Sequence, residues 1–266
     1  MIKVINIITG LYQGGAEMQL LYNMKNIDTK KYKCYVVSLC DEGNVGKKII
    51  QAGIPVYSLD IKKSKYAIIR FLMFIRALFI LSRYIKEVKP DIVQTWLHHA
   101  DLAGLIACKL AGHKKLFWSV HCSYLRPPYF KKRNIILVKL LGKLSKIPKV
   151  ISFNSSAGLK SHIEMGYIPK QMKMIPCGFD SKIFSPNSKK RQNIRDYYGI
   201  SDSDFLVGFV GRHHVVKDIK TFLLAVHELS KKHNNIQTIM VGQGFDEFNQ
   251  EIISLKKDLQ LKNIKL

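Results

Sequence analysis

Arg212 and Lys217 stand just after the run Phe205-Leu-Val-Gly-Phe-Val210 and Gly211, and Lys217-Asp218 opens a helix-like stretch. An apolar, β-branched run ending in glycine reads as a buried parallel strand. The spacing Ile219, Phe222, Leu223, Val226, Leu229 reads as a helix packed on it. The turn between such elements lies at the carboxyl edge of a sheet, where backbone N–H groups and the positive helix end favour an anion. A guanidinium and an ammonium add fixed charge there, and a diphosphate suits the result. A second turn, Thr9-Gly-Leu-Tyr-Gln-Gly-Gly-Ala-Glu17, sets Gly14 and Gly15 at a helix start, where backbone can approach a phosphate closely, although the spacing departs from G-x-G-x-x-G.

The elements that must position these residues alternate from the first residue onward, which predicts an α/β fold with a mostly parallel sheet wrapped by helices. Strands are expected at Lys3–Thr9, Lys33–Leu39, Pro55–Leu59, Asp91–Trp96, Leu116–Val120, Val150–Phe153 and Met172–Ile175, with a long helix over Lys65–Lys89 stopped by Pro90. A second alternation starts at Phe205, with a helix over 217–233, a strand Ile236–Val241, a helix over 246–259 and a last apolar fragment from Asn263. At 266 residues the chain exceeds one ordinary domain. The polar, proline-bearing stretch after Phe184 sets the division expected here: a first domain over 1–184, a linker over 185–204 and a partial second domain over 205–266. A doubly wound domain with so few strands is incomplete, so a chain cut short is expected.

Charge narrows the partners. The chain carries 43 Lys/Arg against 19 acidic residues, a net +24, and residues 61–150 alone hold 19 basic and 3 acidic side chains (Glu87, Asp91, Asp101). A field so localised calls for an acidic partner: nucleic acid, an anionic membrane surface or a phosphorylated substrate. The five cysteines (Cys34, Cys40, Cys108, Cys122, Cys177) fall in no C-x-x-C or Cys/His ligand spacing, which predicts reduced thiols in a cytoplasmic protein and no metal site.

In order along the chain come Gly14-Gly-Ala-Glu17, Lys89-Pro-Asp-Ile-Val-Gln-Thr-Trp-Leu-His-His-Ala-Asp-Leu-Ala-Gly104, Ser119-Val-His121, Ile175-Pro-Cys-Gly-Phe-Asp180 with Phe184-Ser-Pro186, Gly211-Arg212 with Lys217-Asp218, and Val241-Gly-Gln-Gly244. Together they resemble family 4 of the retaining glycosyltransferases, in the branch that builds O-antigen, capsular or exopolysaccharide chains. The resemblance implies a GT-B fold, two Rossmann-like doubly wound domains facing a cleft, here with the second one incomplete. It implies a hexosyl-type transfer from a nucleotide-sugar donor, with retention, to a lipid-linked or polysaccharide acceptor, and no cofactor. Carried over residue by residue, it makes Arg212 and Lys217 the grip on the donor diphosphate and the leaving group. Gly14 and Gly15 then approach the donor phosphates, His121 lies beside the transferred sugar, and Gly242 and Gly244 form a loop near the nucleoside. His98, His99 and Asp101 become acceptor-side candidates on a loop. Cys177 replaces the asparagine usual in the family, and Gly178 is expected to absorb the change by taking the left-handed conformation. The family's pair of donor glutamates has no counterpart, since Glu247 and Glu251 come too early, so impaired activity of this chain is expected.

The stretch Lys65–Lys86 mixes Tyr66, Phe71, Leu72 and Phe79 with Arg70, Arg76 and Arg83, and Lys131–Lys149 sets Lys139, Lys143 and Lys146 on one helical face beside Leu137, Leu140, Leu141 and Leu144. Neither crosses a bilayer, because internal arginines interrupt the first. Both fit a helix lying on an anionic surface, which predicts peripheral attachment to the inner face of the cell membrane. The alternative from charge alone is a nucleic-acid- or membrane-binding module without catalysis. No recognised nucleic-acid motif accompanies the charge.

Overall fold

The computed structural model describes residues 1–61, 65–127, 130–246, 248–261 and 263–266. It divides into two compact units, Met1–Phe179 and Asp180–Leu266.

In the first unit the order is β1 (Ile2–Ile8), α1 (Gly15–Asn26), β2 (Tyr32–Ser38), α2 (Gly43–Gln51), β3 (Val56–Ser58), α3 (Ala67–Val88), β4 (Ile92–Trp96), α4 (His98–Ala111), β5 (Leu116–Val120), α5 (Lys132–Leu144), β6 (Val150–Phe153), α6 (Ser156–Glu164) and β7 (Met172–Met174). The strands form one parallel sheet in the order β3-β2-β1-β4-β5-β6-β7. Alternation along β1 explains the layers. Val4 and Ile8 face the core shared with Leu20 and Met24 of α1 and Val45 and Ile49 of α2, while Ile5 and Ile7 face the core shared with α3, α4 and α5. Strand order reverses at β1, between β2 and β4, and the carboxyl edge at such a reversal is where doubly wound sheets take their ligands.

Local chemistry sets the ends. Lys89 adopts φ 50° and closes α3 ahead of Pro90, where the helix was expected to stop. Gly104 lets α4 lie hard against β4, since a Cβ there would meet Thr95 Cγ2 at 2.4 Å. Gly178, expected in the left-handed region, is not among the positive-φ residues. Its N–H donates to Gln19 Oε1 at 3.0 Å and Asn154 Nδ2 donates to Cys177 Sγ at 3.7 Å, so side chains rather than a left-handed turn hold this segment.

The second unit runs α7 (Ser188–Tyr198), β8 (Phe205–Val210), a 3₁₀ turn (Val215–Lys217), α8 (Ile219–Lys232), β9 (Ile236–Val241), α9 (Gln250–Asp258) and β10 (Ile264–Lys265). Its parallel sheet has the order β10-β9-β8, with Leu223, Val226, Met240, Phe245 and Ile252 in its core. Within 185–204, where a linker is expected, α7 forms. Asn187 caps it by accepting from Lys190 N at 2.8 Å and Gly199 ends it at φ 63°. Arg195 is buried and donates to the carbonyl oxygens of Ser201 and Asp204, tying the helix to the turn before β8.

Candidate functional site

Arg212 and Lys217 leave the carboxyl edge of β8 on a turn that two glycines clamp. Gly211 N–H donates to Val241 O at 2.9 Å and His213 N–H to Gln243 O at 2.7 Å, so the loops after β8 and β9 are zipped together. The zip needs glycine. A Cβ at Gly242, with φ 144°, would fall 1.7 Å from Gly211 O, and one at Gly244, with φ 85°, would fall 2.7 Å from His213 Cβ. Gly242 and Gly244 thus hold the backbone from which Arg212 and Lys217 project. Glu251 pairs with His213 (Nε2–Oε2 3.2 Å) and pins the same loop, while Glu247 lies outside the described residues.

Both cations are exposed, and neither side chain has a hydrogen-bond or ion-pair partner among the described residues. Part of the positive end of α8 is taken by the chain itself: Asp218, in the left-handed region at φ 49°, caps it by accepting from Thr221 N at 3.4 Å. The turn amides of Lys217 and Val216 are also engaged, with His214 O and His214 Nδ1.

In the first unit Gly14 is the N-cap of α1, in extended conformation, and Gly15 its first residue. A Cβ at Gly14 would meet Glu17 Oε2 at 2.4 Å, and nothing lies within 4 Å of one at Gly15. The shape of this loop depends on a residue the motifs did not single out. Gly43 has φ 50° and its Cβ would fall 2.4 Å from Leu11 O, which accepts from Val45 N at 3.0 Å in the first turn of α2.

His121 follows β5, two strands from β1 in the sheet. Its ring stacks on Trp96, the last residue of β4, with centroids 4.9 Å apart and planes 17° apart. Burial lowers its pKa to about 4, so the imidazole is neutral at physiological pH. The buried Nδ1 finds no hydrogen-bond partner among the described residues.

The acceptor-side candidates lie elsewhere than a loop. His98, His99 and Asp101 form the first turn of α4. Of the three, His99 alone reaches the surface; partial desolvation of its ring, and after it the Arg133 cation, holds the imidazole below the usual range. His98 is buried, with Nε2 2.9 Å from Nε2 of His162. His162 donates from Nδ1 to Gly158 O at 2.8 Å, so in its neutral form Nε2 accepts and His98 is the donor of the pair. Burial, then the neighbouring His162, pushes His98 down to about 3. Asp101 is fully buried, its Oδ1 against Thr95 Oγ1 and its Oδ2 without a partner among the described residues, and desolvation raises its pKa to about 8. Asp101 and His98 are thus removed from direct contact with an acceptor by packing. The sequence offered no sign of His162, whose pairing crosses 64 positions.

Profile comparison decides the family. The profile of Glycosyltransferase Family 4 matches residues 13–183, well over half of the chain. The chain belongs to this family. The family-4 chain is 26% identical over 273 aligned positions to the capsular polysaccharide biosynthesis glycosyltransferase CapH of Staphylococcus aureus, covering all of this chain and 69% of that protein. It is 23% identical over 249 positions to the putative glycosyltransferase EpsF of Bacillus subtilis, covering 91% and 62%. Its fold matches that of Anabaena HepE, solved in complex with UDP, at a TM-score of 0.79 and 21% identity, covering 99% of this chain and 68% of that one. A further HepE structure, in complex with UDP-glucose, matches at 0.77. The family-4 chain thus spans about two thirds of these relatives, and its fold is of the GT-B class the sequence predicts.

Proposed function

We propose that this family-4 glycosyltransferase transfers a hexosyl group, with retention, from a nucleotide-sugar donor to a lipid-linked or polysaccharide acceptor in the building of a cell-surface glycan such as a capsule. The carrying observation is the pair of exposed cations Arg212 and Lys217, unpaired among the described residues, on a turn clamped through Gly242 and Gly244. Departure of a nucleoside diphosphate develops negative charge, and preplaced cations stabilise it more than the ground state. They take the part a divalent cation plays in other transferases, so neither metal nor cofactor enters the proposal. CapH and HepE support the substrate class by what is named for them, a capsular polysaccharide and UDP-glucose. In the same proposal His121 and the Gly14-Gly15 loop serve the sugar side, and exposed His99 is the remaining acceptor-side candidate.

Affinity of the whole chain for UDP, measured by calorimetry, tests this. Arg212→Ala with Lys217→Ala should weaken it by about tenfold or more, as expected when charge-assisted hydrogen bonds are lost. Unchanged UDP affinity in the double variant removes the proposal.

A further inference from the structure

His121 is held without hydrogen bonds, and what holds it is traceable. Among the described residues no protein hydrogen bond reaches either ring nitrogen, so the imidazole keeps its plane through the stack on Trp96. Trp96 is 2% exposed, and its Nε1–H donates to Asn6 Oδ1 at 3.1 Å. Asn6 is itself 2% exposed, within the otherwise apolar run Val4–Ile8 of β1, with its Nδ2 4.0 Å from Met24 Sδ. A buried amide in such a run costs free energy unless paired, and an apolar residue of the same size would pack there without that cost. The other tryptophan, Trp118, is equally buried and its Nε1 has no partner among the described residues, so pairing is not a general condition of burying an indole in this sheet. Asn6 and Trp96 lie on the adjacent strands β1 and β4, and His121 directly follows the next strand, β5, at the carboxyl edge where strand order reverses.

We infer that Asn6 and Trp96 are positioning residues for His121: the Asn6 amide sets the plane of the indole, and the indole sets the plane of the imidazole beside the transferred sugar. This rests on the donor assignment proposed above, and it adds that sugar recognition, as distinct from nucleotide recognition, depends on a side chain inside β1. A rigid stack of this kind keeps a neutral imidazole aligned at little entropic cost when the sugar arrives.

The test compares the whole chain with Asn6→Leu, which removes the acceptor, and Asn6→Asp, which is isosteric and keeps it. The first readout needs no ligand. The His121 ring protons, identified by their loss in His121→Gln, should be shifted upfield by the indole in the wild type and in Asn6→Asp, and lose that shift in Asn6→Leu. The Trp118 indole signal reports that the fold is intact. Where Asn6→Leu fails to fold, Trp96→Phe, which keeps an aromatic face but no N–H, is measured instead. The second readout is calorimetric, with UDP and UDP-glucose as probes. Asn6→Leu should weaken UDP-glucose about five- to tenfold, the worth of a hydrogen bond, and leave UDP unchanged. A His121 signal that stays put on loss of the amide, or equal weakening of both probes, overturns the inference. A wild-type chain that binds neither probe overturns the donor assignment instead, and the NMR comparison then decides the link from Asn6 to His121 alone.

Discussion

Asp101 shows how far a side chain can depart from what its sequence position suggests. With its carboxyl fully buried and one oxygen unpaired, the protonated form is favoured up to about pH 8, against 3.8 for the free group. A carboxyl whose pKa is raised on folding contributes stability that is fully present below about pH 4 and is lost as pH rises toward 8. His98 and His121 act in the opposite sense. Each is held neutral in the fold, so their contribution is lost as pH falls below 6.5. The difference in unfolding free energy between wild type and Asp101→Asn, from denaturant titrations across pH 4 to 8, isolates the carboxyl. Wild type should lose about 2–4 kcal/mol relative to the variant over that interval. At this scale the placing of Arg212 and Lys217 on an exposed turn after a strand was legible, because a strand, a glycine and two cations follow in short order. His162 and Asn6 were not, because what they do is defined by partners 64 and 90 positions away.

Among elements, the loops after β8 and β9 are the most constrained, and their constraint is glycine. Gly242→Ala places a methyl group inside bonding distance of Gly211 O at a φ that side chains rarely adopt, and should cost about 2–4 kcal/mol by thermal unfolding. Gly208→Ala, in β8, meets nothing within 4 Å and should fall within about 0.5 kcal/mol of wild type. Affinity for UDP should drop with the first and persist with the second, because Arg212 and Lys217 project from the zipped turn. The strands, the long α3 and the end of α3 at Pro90 were readable from periodicity and punctuation. The helix α7 was not. Its residues Ser188–Tyr198 are strongly polar, and one buried arginine bonded to turn carbonyls docks it where an apolar stripe is the usual signal.

For the whole molecule, the net charge of +24 meets an exposed apolar surface on the first unit. On α3, Ile68, Phe71, Leu72 and Phe79 are 58–63% exposed, and on α5 Ile136 is 68% exposed in a helix that begins Lys132-Arg133. No helix among the described residues is long and apolar enough to cross a membrane. Apolar side chains next to cations suit the surface of an anionic leaflet, where each Lys or Arg contributes roughly 1 kcal/mol. Cosedimentation with phosphatidylglycerol vesicles should exceed that with phosphatidylcholine by about tenfold or more and fall as salt is raised. Equal binding to both lipids, or to neither, ends the membrane assignment.

Sequence alone determined the α/β class, nearly every strand, the family and the two cations. These depend on local hydrophobic period, on turn residues and on fixed charge, all carried within a few positions. Tertiary structure decided which of the named residues stay at the surface and which are packed away. It buried Asp101 and His98, stacked His121 on Trp96, capped α8 with Asp218, and made Gly242 and Gly244 a clamp. Burial and pairing are properties of strand order and helix packing, which bring distant positions together and cannot be read from spacing along the chain.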